Sequence, residues 1–209
     1  MSINRNDIAR LLVEALRVTN HRDYVVVGSL SILGAYETPP GTMAESVDID
    51  LYPKNDPGRA SDVARAFGQG SEFDKKYGFY ADAVSPVLPS LPEGWGERLI
   101  KVDFDSGVTA WFLDPNDAAI SKYVRSEPHD RRWIRAGLEA GIFSMPIIEY
   151  RLRETFMLDE EMQVAKASIA EDKAWLQNIQ IAGRLPIKPT ADKTTKSKSK
   201  DDPEPEQER

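Results

Sequence analysis

The sequence predicts an α/β (α+β) protein: a mixed sheet flanked by helices, with a C-terminal helical lobe. Three observations carry that expectation. Short β-branched or alternating runs are interleaved with amphipathic stretches up to residue 113, helical apolar spacing dominates from 114 to 183, and apolar residues all but vanish beyond 184. Residues 1–113 are accordingly read as the core, 114–183 as a helical lobe and 184–209 as a disordered charged tail.

Element by element, Ile8, Leu11, Leu12, Ala15 and Leu16 recur at three-and-four spacing, so residues 8–18 form an amphipathic helix. Tyr24-Val25-Val26-Val27 is a β-branched run stopped by Gly28-Ser29, the pattern of a buried strand entering a sharp turn. A short helix over 30–35 follows, and Thr38-Pro39-Pro40-Gly41 makes 37–46 a loop, because proline lacks the amide a helix needs. In Val47-Asp48-Ile49-Asp50-Leu51 the two-residue alternation sends the apolar side chains to one face of a strand and both aspartates to the other.

Residues 60–67 read as a helix, 68–76 as a loop and 79–84 as a strand. Segments 99–102 and 108–113 make a hairpin across Asp105-Ser106-Gly107. Asp114-Pro115 caps a helix starting near Asn116, and another follows Pro128 and ends before Gly141. Helical spacing then continues over 147–181 with one break.

Composition narrows the chemistry. With 41% hydrophobic and 29% charged residues the chain is ordinary globular material, and a net charge of -7 argues against a surface that attracts phosphate backbones throughout. Zero cysteines exclude thiolate ligands, and two histidines make a histidine-rich zinc site improbable, so a metal here is expected on carboxylates. The polar stretch 1–10 and the lack of a long apolar segment lead us to expect a cytoplasmic, membrane-free protein.

The chemical constellation is a strand, a Gly28-Ser29 turn, a short helix, a loop, and a strand bearing Asp48 and Asp50. Attack on a triphosphate builds negative charge on the attacking oxygen, the phosphoryl group and the departing pyrophosphate, which divalent ions on adjacent carboxylates neutralise. Glycine lets main-chain amides approach phosphate oxygens, and serine adds a hydroxyl donor. Hard oxygen ligands suit Mg2+ or Mn2+. Alone, an Asp-x-Asp is more often a solvated strand face and a Gly-Ser after a strand more often just a turn; their ordered combination points to the site.

In this order the residues resemble the DNA polymerase β-like nucleotidyltransferase superfamily. The chain is also similar to a group of bacterial nucleotidyltransferase-like proteins in residues 28–34, in Asp50-Leu51-Tyr52-Pro53, in Leu91-Pro92-Glu93-Gly94-Trp95 with Glu97-Arg98-Leu99, and in 113–122, a similarity spanning roughly 25–141. It implies a third carboxylate on a neighbouring strand, for which Asp82 is the first candidate and Asp103 the second. Nucleotidyltransferases of the AbiEii and MenT toxin type carry a lysine on a helix after the sheet and an acid at the next helix start, matched by Lys122 and Asp130. Lys122 with Arg125 would then meet the triphosphate, although the same residues also read as a solvated helical face.

The resemblance implies transfer of a nucleotidyl group from a nucleoside triphosphate to a hydroxyl on tRNA, protein or a small molecule, and a toxin paired with an antitoxin protein. A silent nucleotide-binding module of the same fold is the alternative, should the third carboxylate be missing. A further alternative is an interaction protein whose acidic surface and mixed-charge tail engage a basic partner. Trp95, Trp111, Tyr77, Phe79 and Tyr80 are candidates for base stacking, with core packing the default for most; Trp95, flanked by Gly94 and Gly96, is expected as a mobile pocket wall.

Overall fold

A computed structural model describes residues 2–87 and 89–181. The expected charged tail lies outside the described residues. Helix α1 (Arg5–Thr19) opens on Asn4, whose side chain accepts from the Asn6 and Asp7 amides while Asp7 bonds back to the Asn4 amide. Ile8, Leu11, Leu12 and Ala15 form its buried face. Strand β1 (Asp23–Val26) follows, with Tyr24 fully buried and its hydroxyl 2.7 Å from Thr19 Oγ1.

Strands β2 (Asp48–Pro53), β3 (Tyr80–Ala83), β4 (Ile100–Asp103) and β5 (Thr109–Phe112) complete a five-stranded mixed sheet in the order β3-β2-β1-β5-β4. β1 runs antiparallel to β2 and parallel to β5; β2 runs parallel to β3; β4 and β5 form the antiparallel hairpin. The run expected as a helix over 30–35 is a tight 3-10 turn at Ser29–Gly34, packed on β5 so closely that a Cβ at Gly34 would overlap the Cβ and ring of Phe112.

Between β2 and β3 lie α2 (Ala60–Phe67) and α3 (Glu72–Tyr77). The second corrects the expected loop over 68–76. Ser71 caps it by accepting from the Asp74 amide, Gly78 ends it at φ 76°, and Phe73 with Tyr77, one turn apart, packs into a cluster with Phe67 and Phe79. Glycines and charges in 68–76 conceal that short apolar pair.

The remaining helices are α4 (Pro115–Arg125), α5 (Pro128–Glu139), α6 (Met145–Arg153) and α7 (Asp159–Ile181). The break expected within 147–181 falls between α6 and α7. Helix α4 is central, packing against the other three and burying Ala118, Ala119, Ile120 and Tyr123. Its first turn is fixed by Asp117, fully buried, which accepts from Arg98 Nε at 2.8 Å and Arg151 Nη1 at 2.8 Å, while Arg151 also donates to the cap residue Asp114 at 2.7 Å. Asp172 of α7, also fully buried, accepts from Arg135 Nε at 2.9 Å and from the Tyr123 hydroxyl at 3.2 Å. No helix among the described residues is long and apolar enough to cross a membrane.

Because Phe112 is pinned in β5 and cannot retreat, Gly34→Ala is expected to destabilise the protein by about 1–3 kcal/mol, read as a lower urea midpoint with an unchanged denaturant slope. An unchanged midpoint would show that the turn shifts without penalty.

Candidate functional site

Sheet pairing explains how carboxylates distant in sequence converge. Asp50 of β2 stands directly opposite Asp82 of β3 in the parallel ladder, and Asp48 lies two residues earlier on the same face. One oxygen from each of the three lies within 4.8 Å of the others, a set able to hold a divalent cation through hard ligands. Ser46 donates its hydroxyl to Asp48 Oδ1 and fixes that carboxylate. Asp103 sits on β4, at the opposite edge of the sheet, paired with Lys101 at 2.9 Å and accepting from Thr109 at 2.7 Å. Of the two candidates for the third carboxylate, Asp82 is the one brought to the cluster.

The Gly28 turn meets this cluster edge-on. Gly28 adopts φ 65° and ψ -154°, a conformation open in practice only to glycine, and a Cβ there would overlap the Asp50 carboxylate. Both backbone and contact therefore demand glycine at the point where the chain passes Asp50. Ser29 next turns its hydroxyl to Lys122, accepting from Nζ at 2.9 Å.

Lys122 is where α4 reaches the sheet. Its side chain is 4% exposed and its ammonium also donates to Asp130 Oδ1 at 2.8 Å. Asp130, 1% exposed, in addition receives two bonds from Arg125, Nε to Oδ2 at 2.8 Å and Nη2 to Oδ1 at 2.6 Å. Burial alone would raise the Asp130 pKa, but the bonds from Arg125 and Lys122 outweigh it and the carboxyl is held below its usual range. Burial lowers the Lys122 pKa, and Asp130 opposes that shift. The two cations named in the sequence and the acid at the next helix start thus form one cluster, with Asp130 bound to the cations.

Asp50 is strongly perturbed. Burial, then the charges of Asp48 and Asp82, push its pKa from 3.8 up to about 7. Asp82 is also raised, by burial and by Asp48. Crowded carboxylates with one pKa near neutrality mark a place that lacks a positive charge in the protein alone.

A cavity of about 360 Å3 opens beside the cluster. Gly28, Asp50, Lys122 and Arg125 line its charged end, and Val27, Val84, Leu113 and Val124 its apolar walls. Ser90, Ser121 and Glu161 add polar groups that the sequence reading did not single out. Glu161 arrives from the first turn of α7, a distant segment whose proximity only the tertiary fold reveals. None of the aromatic residues considered for stacking lines this cavity, although Tyr80 stands opposite Asp48 in the β2–β3 ladder. Trp95 is half-buried against the core; Trp111 donates to Asp23 Oδ1 at 2.9 Å and lies under the Lys54 ammonium; Tyr77 and Phe79 belong to the aromatic cluster near α3. Neither tryptophan lines this cavity.

A turn on a strand aimed at acidic residues of the next strand, in a mixed sheet flanked by helices, defines a nucleotidyltransferase-like α/β protein. The family model described as a nucleotidyltransferase of unknown function (DUF6036) matches residues 6–185, and the chain belongs to that family. No curated protein and no solved structure matches the chain.

A raised carboxyl pKa binds protons more tightly in the folded state, so its contribution to stability is present below the unfolded value, near 4, and is lost as pH rises through about 7. In chelator, the urea midpoint of the protein is expected to fall over that window. Asp50→Asn should flatten the dependence and be the more stable form at pH 7.5. Identical pH profiles for the two proteins would refute the assignment of this titration to Asp50.

Proposed function

We propose that the protein is a metal-dependent nucleotidyltransferase that moves a nucleoside monophosphate from a nucleoside triphosphate to a hydroxyl acceptor. The observation that carries this reading is the convergence of Asp48, Asp50 and Asp82 on one face, beside a glycine turn and a buried lysine. Asp48, Asp50 and Asp82 would hold Mg2+ or Mn2+, whose chemistry here is to offset charge on the reacting phosphoryl group. Gly28 exposes main chain to the phosphates, the Ser29 hydroxyl donates to them, and Lys122 and Arg125 supply positive charge at the same end of the cavity. Asp130 positions those two cations from behind.

In the reaction the acceptor oxygen bonds to the α-phosphorus, the hydroxyl proton passes to Asp82, and the bond to the bridging oxygen breaks to release pyrophosphate. The Asp82 pKa, raised by burial and by Asp48, suits it to accept that proton. The alternative of a silent nucleotide-binding module rests on a missing third carboxylate, and the position of Asp82 weighs against it. The Lys122 and Asp130 pair supports the likeness to AbiEii and MenT toxins, and with it a tRNA or protein acceptor and an antitoxin partner.

Purified protein, labelled triphosphates, magnesium and cell extract should give a labelled product that chelator abolishes. Asp48→Ala and Asp50→Ala are each expected to lower transfer more than about a hundredfold at unchanged folded yield. Absence of product from the wild type, or labelling by either variant equal to that of the wild type, would overturn the reading.

A further inference from the structure

The face of β3 that carries Asp82 also carries a phenol. Phe79 is fully buried with its ring 5.2 Å from that of Phe73, and the Tyr80 amide donates to the Val47 carbonyl at 3.0 Å, so the chain is anchored where β3 begins. Alternation from that anchor sends Phe79 and Ala81 into the core and Tyr80 and Asp82 to the opposite face, and their burial follows the same alternation. Tyr80 stands opposite Asp48 in the parallel ladder, as Asp82 stands opposite Asp50, and is therefore one corner of the carboxylate patch. Diagonal neighbours on paired strands are on the order of 7 Å apart, a span that an aromatic side chain covers.

The hydroxyls around the carboxylates are not equivalent. Ser46 donates to Asp48 and Ser29 accepts from Lys122, whereas the half-buried Tyr80 forms no hydrogen bond through its hydroxyl among the described residues. Tyr80 also lies on the β3 side of the cluster, two residues from the carboxylate assigned above to take the acceptor's proton. The glycine turn that would meet the triphosphate follows β1, on the other side of β2. An in-line displacement needs its nucleophile opposite the leaving group. Tyr80 is the residue of this chain placed to supply one.

Resting on the nucleotidyl-transfer reading, we propose that Tyr80 is a built-in acceptor: the protein transfers a nucleoside monophosphate to its own Tyr80 hydroxyl and thereby closes its site to outside acceptors. The phenol oxygen bonds to the α-phosphorus, its proton passes to Asp82, and the bond to the bridging oxygen breaks to release pyrophosphate. A phosphodiester between Tyr80 and the nucleoside remains. Because nucleophile and base belong to one chain, the step needs no second encounter and proceeds when a triphosphate is bound and no outside hydroxyl occupies the place. The product fills that place, beside Asp48 and Asp82, so a modified chain is silent. Self-modification thus retires chains that hold triphosphate while acceptor is scarce.

Intact-mass measurement of the full-length protein, incubated with magnesium and each nucleoside triphosphate in turn, tests this. A gain of a single nucleoside monophosphate is expected with at least one of them, abolished by chelator, and peptide mapping should place it on Tyr80. An adduct on Ser46 or any other residue would overturn the inference. Tyr80→Phe, which removes one oxygen, should lose the adduct while its thermal melt matches the wild type. Isotopically heavy Asp48→Ala protein mixed with the wild type should stay unmodified; its labelling would show transfer between copies and refute the reaction within one chain. Preincubation with the triphosphate should lower later transfer to acceptors in cell extract in proportion to the fraction modified, and transfer that survives full modification would refute the closing of the site. Labelled transfer to extract with no adduct on the protein would overturn the inference and leave the transferase reading standing. Neither adduct nor transfer would bring down both.

Discussion

The buried Lys122 ammonium is the interaction on which the site depends. An ammonium removed from water is tolerated only where other groups replace its hydration, and here Asp130 Oδ1 at 2.8 Å and Ser29 Oγ at 2.9 Å do so. Those two partners belong to different parts of the chain. Asp130 begins α5, while Ser29 leaves β1, so one cation holds the helices against the turn that faces the carboxylates. The Trp133 indole reinforces the same junction: its N–H donates to the Met43 carbonyl at 3.1 Å and its ring lies 4.9 Å from the Lys122 ammonium. Helix α4 can offer Lys122 at this depth because Asp117 locks its first turn and Asp172 binds Tyr123 beside the lysine.

What the sequence could and could not reveal follows from the range of each interaction. The order of strands and helices was legible because apolar periodicity is local, and the placement of Asp48 and Asp50 on one face followed from alternation alone. Choosing Asp82 over Asp103 required knowing which strand lies beside β2, a fact of topology: Asp103-Phe104-Asp105 has the same local pattern as Asp48-Ile49-Asp50 but belongs to the far edge. Short elements were the weakest. The six residues of α3 contain a serine cap and a Phe73-Tyr77 pair, yet the glycines and charges around them carry the stronger local signal. Trp95 shows the reverse error, since its glycine neighbours suggested mobility and long-range packing half-buries the ring.

Electrostatics tie the two halves of the site together. Asp48, Asp50 and Asp82 crowd one another while Asp130 spends its charge on Lys122 and Arg125, so the cluster carboxylates have no direct cationic partner among the described residues. Burial, and then the charges of Asp48 and Asp82, push Asp50 up to about 7, and protonation or a divalent cation relieves the repulsion. A triphosphate entering the protein alone would meet those carboxylates as a further anion. On the function proposed above, cation and nucleotide would bind cooperatively, each lowering the electrostatic cost of the other.

The burial of Asp130 fits the same proposed division of charge. An exposed carboxylate could swing toward the incoming cation and compete with Asp48 and Asp50 for it. Held by three bonds, one from Lys122 and two from Arg125, with 1% exposure, Asp130 is confined to the cationic side. The arrangement keeps acid and base in separate layers only a few side chains apart: three carboxylates toward β3, and a lysine and arginine oriented by a fourth carboxylate toward α5. A phosphate chain lying between the layers would meet opposite requirements at its two ends, and the Gly28 turn, which brings main chain up against Asp50, is the narrow point where they change over.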